Sequence, residues 1–277
     1  KVKTVVMDLR GNGGGYLNTC TQLADEFLKD AELIVYTQDR QHEQHKMFAT
    51  PEGKFENVKL YVLIDYESAS ASEIFAGAMQ DNDRATIVGS RSFGKGLVQE
   101  LFSLADGSQI RLTVSRYYTP SGRCIQKPYK DIDYTDYADD HSDSLRDSTV
   151  YFTKGKRKVF GGGGIQPDIS LNEDSIVFWR ELSALYQDDF ARKCAIQSIL
   201  QNASQWKILS AEQFISSKAI DGQLRNTLAK LLPKNLSAEA ESYLLNDVKG
   251  NVLRCLWGSN AYYQYKLRGD KCLKKIK

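Results

Sequence analysis

Histidine is scarce in this chain of 277 residues: there are three, His42, His45 and His141, each in polar sequence. His42 and His45 lie three apart with no third ligand beside them, too little for a metal site, so they read as solvated loop. The five cysteines (Cys20, Cys124, Cys194, Cys255 and Cys272) include no Cys-x-x-Cys pair. That spacing argues against a zinc knuckle or a dense disulfide framework and leaves free or buried thiols. An excess of one charge is missing as well: lysine and arginine total 37 against 35 acidic residues, so no nucleic-acid partner is expected. No apolar run reaches the roughly 18 residues that a membrane-spanning helix needs. The opening Lys-Val-Lys-Thr-Val-Val-Met-Asp has too short an apolar stretch for a signal sequence and reads as a core strand, as if the chain began inside a domain. Internal repeats and low-complexity tracts are also absent.

What is present is an ordinary supply of core, 42% hydrophobic residues. The first half alternates short apolar runs with small-residue helical patterns, the rhythm of an α/β core. Strands are expected at residues 2–9, 60–65, 85–89, 97–104 and 109–117, the last two joined as a hairpin by Asp106-Gly107. Helices with one apolar face are expected around residues 17–28 and 71–79. From about 127 to 160 the pattern fails: seven aspartates and little periodicity predict a surface excursion, either a solvated loop or ribbon or a lid over a groove. Asp131, Asp133 and Asp136 lack the glycine that turns an EF-type calcium loop. After Pro167-Asp168 the character changes. Residues 176–186, 190–200, 211–216, 223–232 and 238–256 read as amphipathic helices, giving two parts, 1–170 and a helical extension 171–277. The basic end, from Lys266 to Lys277, reads as a solvated helix face.

Three segments look built for chemistry. In Asp8-Leu9-Arg10-Gly11-Asn12-Gly13-Gly14-Gly15, between a strand and a helix, successive glycines let N–H groups converge on an anion. The spacing fits neither a P-loop nor a dinucleotide fingerprint, so an oxyanion hole is the better reading. In Ser68-Ala69-Ser70-Ala71-Ser72-Glu73, a serine stands at a strand-to-helix turn, where it is either a helix cap or an exposed nucleophile. In Phe93-Gly94-Lys95-Gly96-Leu97-Val98-Gln99, a lysine between glycines is either a surface residue beside a turn or an amine in a partly dry site. Dryness favours the neutral form of an amine, and a neutral amine is a base. If the segment is extended, Gln99 shares a face with Lys95 and can hold the amine. Together the three supply nucleophile, base, orienting group and oxyanion hole, the parts of acyl transfer. None contains a histidine, so a Ser/His/Asp arrangement is disfavoured. A literal Ser92-x-x-Lys95 pair is also disfavoured, because Gly94 and Gly96 oppose the helical turn it needs.

The run Ser68 to Asp81, then Val88-Gly89, Phe93-Gly94-Lys95-Gly96, Val98-Gln99, Asp106-Gly107-Ser108, Tyr117-Tyr118-Thr119-Pro120-Ser121-Gly122-Arg123 and Gly164-Ile165-Gln166-Pro167-Asp168, closely resembles the C-terminal processing (tail-specific) peptidases. The resemblance runs from about residue 2 to 170. It implies Ser70 as nucleophile, Lys95 as general base, Gln99 as the residue that positions the lysine, and an oxyanion hole from the backbone of Ala71 with Gly14 or Gly15. It implies a fold akin to the crotonase and Clp-protease core of ββα units, a serine endopeptidase acting through an acyl-enzyme, and no metal or cofactor. The expected partners are the C-terminal tails of protein or peptide substrates, with a homo-oligomer as a further option. The family usually carries a PDZ domain upstream, and no such segment is seen here, so an N-terminal part is expected to be missing. The helical end resembles that of Bacteroides-like members, which implies a place outside the cytoplasm, in the periplasm or envelope. The glycine loop departs from the family's pattern, with Gly11 and Gly13 where Asn and Pro are usual, which implies a looser backbone. A catalytically silent binding protein on the same fold is the alternative. The acyl-CoA chemistry of crotonase relatives leaves Ser70 and Lys95 unexplained.

Overall fold

The structure, a computed structural model, describes residues 2–128, 149–171, 176–232 and 236–276. They fall into two compact units, Lys1–Asn172 and Glu173–Lys277. The first is α/β. Its elements in chain order are β1 (Thr4–Asp8), α1 (Leu17–Asp25), β2 (Leu33–Asp39), β3 (Gln44–Phe48), β4 (Lys59–Ile64), α2 (Ala71–Asp81), β5 (Thr86–Gly89), β6 (Leu97–Ser103), β7 (Gln109–Tyr118), β8 (Val150–Phe152), β9 (Lys158–Phe160) and β10 (Ile169–Ser170).

One sheet has the order β1-β4-β5-β10 with every neighbour parallel. In β4 the run from Leu60 to Ile64 is buried throughout, as expected of a parallel strand covered on both faces. The register pairs Asp8 with Leu63 and Ile64 with Gly89, so β1, β4 and β5 all end at the same edge. The loops that follow them, around residues 9–16, 65–70 and 90–96, therefore leave side by side, the usual place for a ligand in a parallel sheet. A second sheet, β3-β2-β7-β6, is antiparallel. The expected hairpin closes at Gly107, whose N–H donates to Leu104 O at 3.0 Å.

Helix α2 packs between these layers, against a core that includes Leu28, Ile34, Val62, Ile64, Phe75, Met79 and Ile87. All eleven of its residues are buried, so it is a central helix rather than one with a single apolar face. Its polar residues have partners: Gln80 donates to Gln166 O at 2.8 Å, and Asp81 pairs with the fully buried Arg123 at 2.7 Å.

One expectation for this unit changes. The loop read at His42 and His45 is part of the strand pair β2-β3, with His42 in their turn at φ 66° and His45 exposed in β3. The outer strand is polar and exposed, so pairing with β2 defines it where apolar alternation cannot. In the expected excursion, residues 150–160 are the ribbon β8-β9. Arg157 ties it to Asp83 and Asp168, both at 2.5 Å, and Val159 is buried. Asp131, Asp133 and Asp136 lie outside the described residues.

The second unit is helical: α3 (Ile176–Gln187), α4 (Phe190–Trp206), α5 (Ala211–Ser216), α6 (Lys218–Leu231) and α7 (Ala238–Arg268). Serines cap three of them, Ser210, Ser217 and Ser237, each accepting an N–H of its own first turn. Trp206, Phe214, Leu224, Leu244 and Val248 form the core. Gly258 breaks α7 with φ 84° and ψ 179°, and the part beyond folds back over Gly250, where an added Cβ would meet the Tyr262 ring at 3.2 Å. The basic end is thus not wholly a solvated face: Lys266 is half-buried on Asp247, and Arg268 pairs with Glu212 at 2.6 Å.

Candidate active site

The loop after β4 presents Ser70 at the N-terminus of α2. Its backbone, φ 56° and ψ −116°, lies outside the extended region that an ordinary cap adopts, and a positive φ in a residue with a Cβ is strained. A sharp, strained strand-to-helix turn is one setting in which a nucleophile can be exposed. The Ser70 N–H donates to Glu73 Oε2 at 2.9 Å, and the Ser70 carbonyl accepts from Glu73 N at 2.9 Å.

The loop after β5 brings Lys95 to the same carboxylate. Lys95 N–H donates to Glu73 Oε2 at 2.8 Å, and Gly94 N–H and Ser92 Oγ donate to Glu73 Oε1 at 2.7 and 2.6 Å. One buried carboxylate thus holds the main chain of both residues. Tyr117, at the end of β7, closes the other side: its hydroxyl lies 3.1 Å from the Ser70 carbonyl and also bonds the Lys95 carbonyl. Glu73 is wholly buried, and burial pushes it up from 4.5 to about 7 against the pull of Ser92 and the Lys95, Gly94 and Ser70 amides.

The loop after β1 is tied to the serine turn. Asp65 accepts the Gly11 N–H at 3.0 Å on both carboxylate oxygens and takes Glu67 N, Ser68 N and Ser68 Oγ as well. The Asn12 carbonyl accepts from Ala69 N at 3.1 Å and from Ser72 Oγ at 2.9 Å. These bonds offset the freedom of the extra glycines, so the loop is pinned rather than loosened. Gly14 comes closest to the serine: with φ +102°, a Cβ added there would lie 2.6 Å from Ala69 O, 2.8 Å from Ala71 N and 2.9 Å from Ser70 Cβ. Only glycine permits this approach. The Gly14 N–H is already engaged, donating to Asn12 Oδ1 at 2.9 Å, whereas the space around Gly15 is open.

Gln99 is exposed and follows a bulge between Val98 and Gln99, so simple alternation from Lys95 does not hold. Among the described residues it makes no side-chain hydrogen bond to Lys95. Sequence reasoning passed over Glu73, Asp65 and Tyr117 as site residues. Ser70-x-x-Glu73 is a capping-box spacing and could have pointed to the first. Nothing local marks the bonds by which the other two tie the site together, Asp65 to Gly11 and Tyr117 to Ser70, 54 and 47 residues away.

A family model described as "Peptidase family S41" matches residues 1–135, which contain Ser70, Lys95, Gln99, Ala71, Gly14 and Gly15. The match covers just under half of the chain. A carboxyl-terminal-processing protease of Synechocystis is 47% identical over 122 residues, 44% of this chain and 28% of that protein. A carboxy-terminal-processing protease of Bartonella bacilliformis is 47% identical over 127 residues, 46% of this chain and 29% of the relative. The chain thus spans between a quarter and a third of the length of these relatives. Among solved structures, a photosystem II D1 C-terminal processing protease is similar at 30% identity and a TM-score of 0.46, over 62% of this chain and 35% of that one.

Proposed function

We propose that the chain carries the catalytic core of a serine endopeptidase in which Ser70 is the nucleophile and Lys95 the general base. The observation that supports this most is the double tie between them, through the Glu73 carboxylate on their amides and the Tyr117 hydroxyl on their carbonyls. Main chains fastened to the same two side chains lie close together, which supports proton transfer between the side chains they carry. Lys95 takes the Ser70 proton as Oγ attacks a peptide carbonyl, and the carbonyl π electrons move onto oxygen. The N–H of Ala71 and that of Gly15 hold this oxyanion, since the Gly14 N–H is turned to Asn12. Collapse breaks the C–N bond, Lys95 returns the proton to the leaving amine, and a serine ester remains. Water then gives a proton to Lys95 and its oxygen to the acyl carbon, and Lys95 passes that proton to Ser70 Oγ as the ester C–O bond breaks. Gln99 orients Lys95 once substrate covers the site.

The names of the relatives point to cleavage near the C-termini of protein substrates, and we place that work outside the cytoplasm, in the periplasm or envelope. We assign catalysis to residues 1–170 and treat 171–277 as a helical extension. The engaged Gly14 N–H, and a Gln99 side chain that among the described residues makes no hydrogen bond to Lys95, favour one second reading, a silent peptidase fold that binds tails without cutting them. Fluorophosphonate labelling and casein digestion, compared with Ser70→Ala and Lys95→Ala, separate the two. Both variants should lose labelling and turnover while melting as the parent does. Turnover that survives either substitution removes the mechanism, and a folded parent that binds tails without being labelled is the silent protein.

A further inference from the structure

The main chain around Lys95 is fully accounted for. Gly94 N–H and Lys95 N–H go to Glu73, and Gly96 N–H goes to Gln126 Oε1 at 2.8 Å. The Gly94 carbonyl accepts from Lys127 N at 2.9 Å, the Gly96 carbonyl from Tyr117 N at 3.0 Å, and the Lys95 carbonyl from the Tyr117 hydroxyl. Two of these partners also bond Ser70: Glu73, from the amide side, and Tyr117, from the carbonyl side.

We propose that Tyr117 is a positioning residue for the Ser70–Lys95 pair, its hydroxyl setting their separation by bonding both carbonyls at once. This rests on the reading of Ser70 and Lys95 given above. The backbone of Ser70 is strained at positive φ, so its carbonyl direction needs an external hold, and Tyr117 supplies it. The ring is 1% exposed and stands at the end of β7, where the Tyr117 N–H bond to Gly96 fixes its root. Burial pushes the phenol well above its ordinary range, and Glu73, Cys124 and Cys20 nearby push the same way, so the group stays a donor at any working pH. It has one proton for two acceptors. Without it, two carbonyls in the site lose their donor and the nucleophile and base are free to separate, where a shift of about 1 Å costs on the order of a hundredfold in rate.

The test compares the parent with Tyr117→Phe, with 4-aminophenylalanine placed at 117, and with Ser70→Ala. It measures the rate constant of fluorophosphonate labelling across pH, and the melting temperature. Tyr117→Phe should label at least about tenfold more slowly per folded molecule, with the acid limb of the profile moved by roughly half a pH unit or more. The aminophenyl group carries two N–H donors at the same place, so it should restore most of the rate. If Tyr117→Phe only melts lower and labels like the parent with an unchanged profile, Tyr117 is structural and the proposal fails. Should Tyr117→Phe not fold, the aminophenyl variant decides: parental rates support the proposal, and a tenfold loss with parental melting overturns it. Labelling that persists in Ser70→Ala instead overturns the underlying Ser70–Lys95 reading, whatever Tyr117 does.

Discussion

Replacing Glu73 with Gln separates the carboxylate's role in the site from its role in the fold. Glu73 offers two oxygens to four donors, Ser70 N and Lys95 N on Oε2 and Gly94 N and Ser92 Oγ on Oε1. In glutamine one of those oxygens becomes an NH2 that faces two donors, so one pair of bonds is lost in either orientation. At about 1–3 kcal/mol for each donor left unpaired, the loss is about 2–6 kcal/mol. Against this, the rise of Glu73 from 4.5 to about 7 means that the buried charge costs about 3 kcal/mol near pH 8, which the neutral amide avoids. The two terms nearly cancel, so Glu73→Gln should fold and melt within several degrees of the parent at pH 8. Because its folded value is raised, the stability that Glu73 contributes is full below about pH 4.5 and fades as pH rises through about 7. The parent should therefore exceed the variant in melting temperature by more at pH 5 than at pH 8. Activity has no such cancellation: with either pair lost, Lys95 or Gly94 is released, and labelling should fall about a hundredfold or more, about 2.7 kcal/mol. Fluorophosphonate kinetics with melts at the two pH values measure both. Labelling within threefold of the parent, or a melting gap equal at pH 5 and pH 8, refutes the account.

Gly14→Ala should destabilise the fold by about 2 kcal/mol or more and silence labelling, because its Cβ would sit 2.8 Å from Ala71 N at φ +102°. Gly15→Ala, with open space around it, should melt like the parent, and a shared loss of melting temperature counts against the packing argument. Arg123→Met leaves the fully buried Asp81 uncompensated and should cost about 3–5 kcal/mol in denaturant titration, and a loss below about 1 kcal/mol contradicts the pairing. Cys20 donates to Ala71 O at 3.0 Å, and burial pushes its thiol up to about 12, so iodoacetamide on the native protein at pH 8 should modify exposed Cys255 and spare Cys20 in peptide mapping.

What could be read directly depended on range. The buried run of β4, the hairpin at Asp106-Gly107, and the Gly-rich, Ser70 and Lys95 segments each declare themselves within about ten residues, through periodicity, turn chemistry or reactive side chains. The pair β2-β3 did not, because its outer strand is polar and gains its identity from a neighbour. Nor did the fold-back after Gly258, which one glycine enables but only packing on Gly250 directs.

The linear chain determined which chemical groups were on hand: a serine at a strand-to-helix turn, a lysine between glycines, and a glycine loop after the first strand. Tertiary structure decided how they meet. Parallel pairing of β1, β4 and β5 brings three loops far apart in the chain to one edge, and Glu73, Asp65 and Tyr117 then fasten those loops to one another. The ties between loops join a side chain to backbone groups 22 to 54 residues away, which no local pattern of side chains can encode.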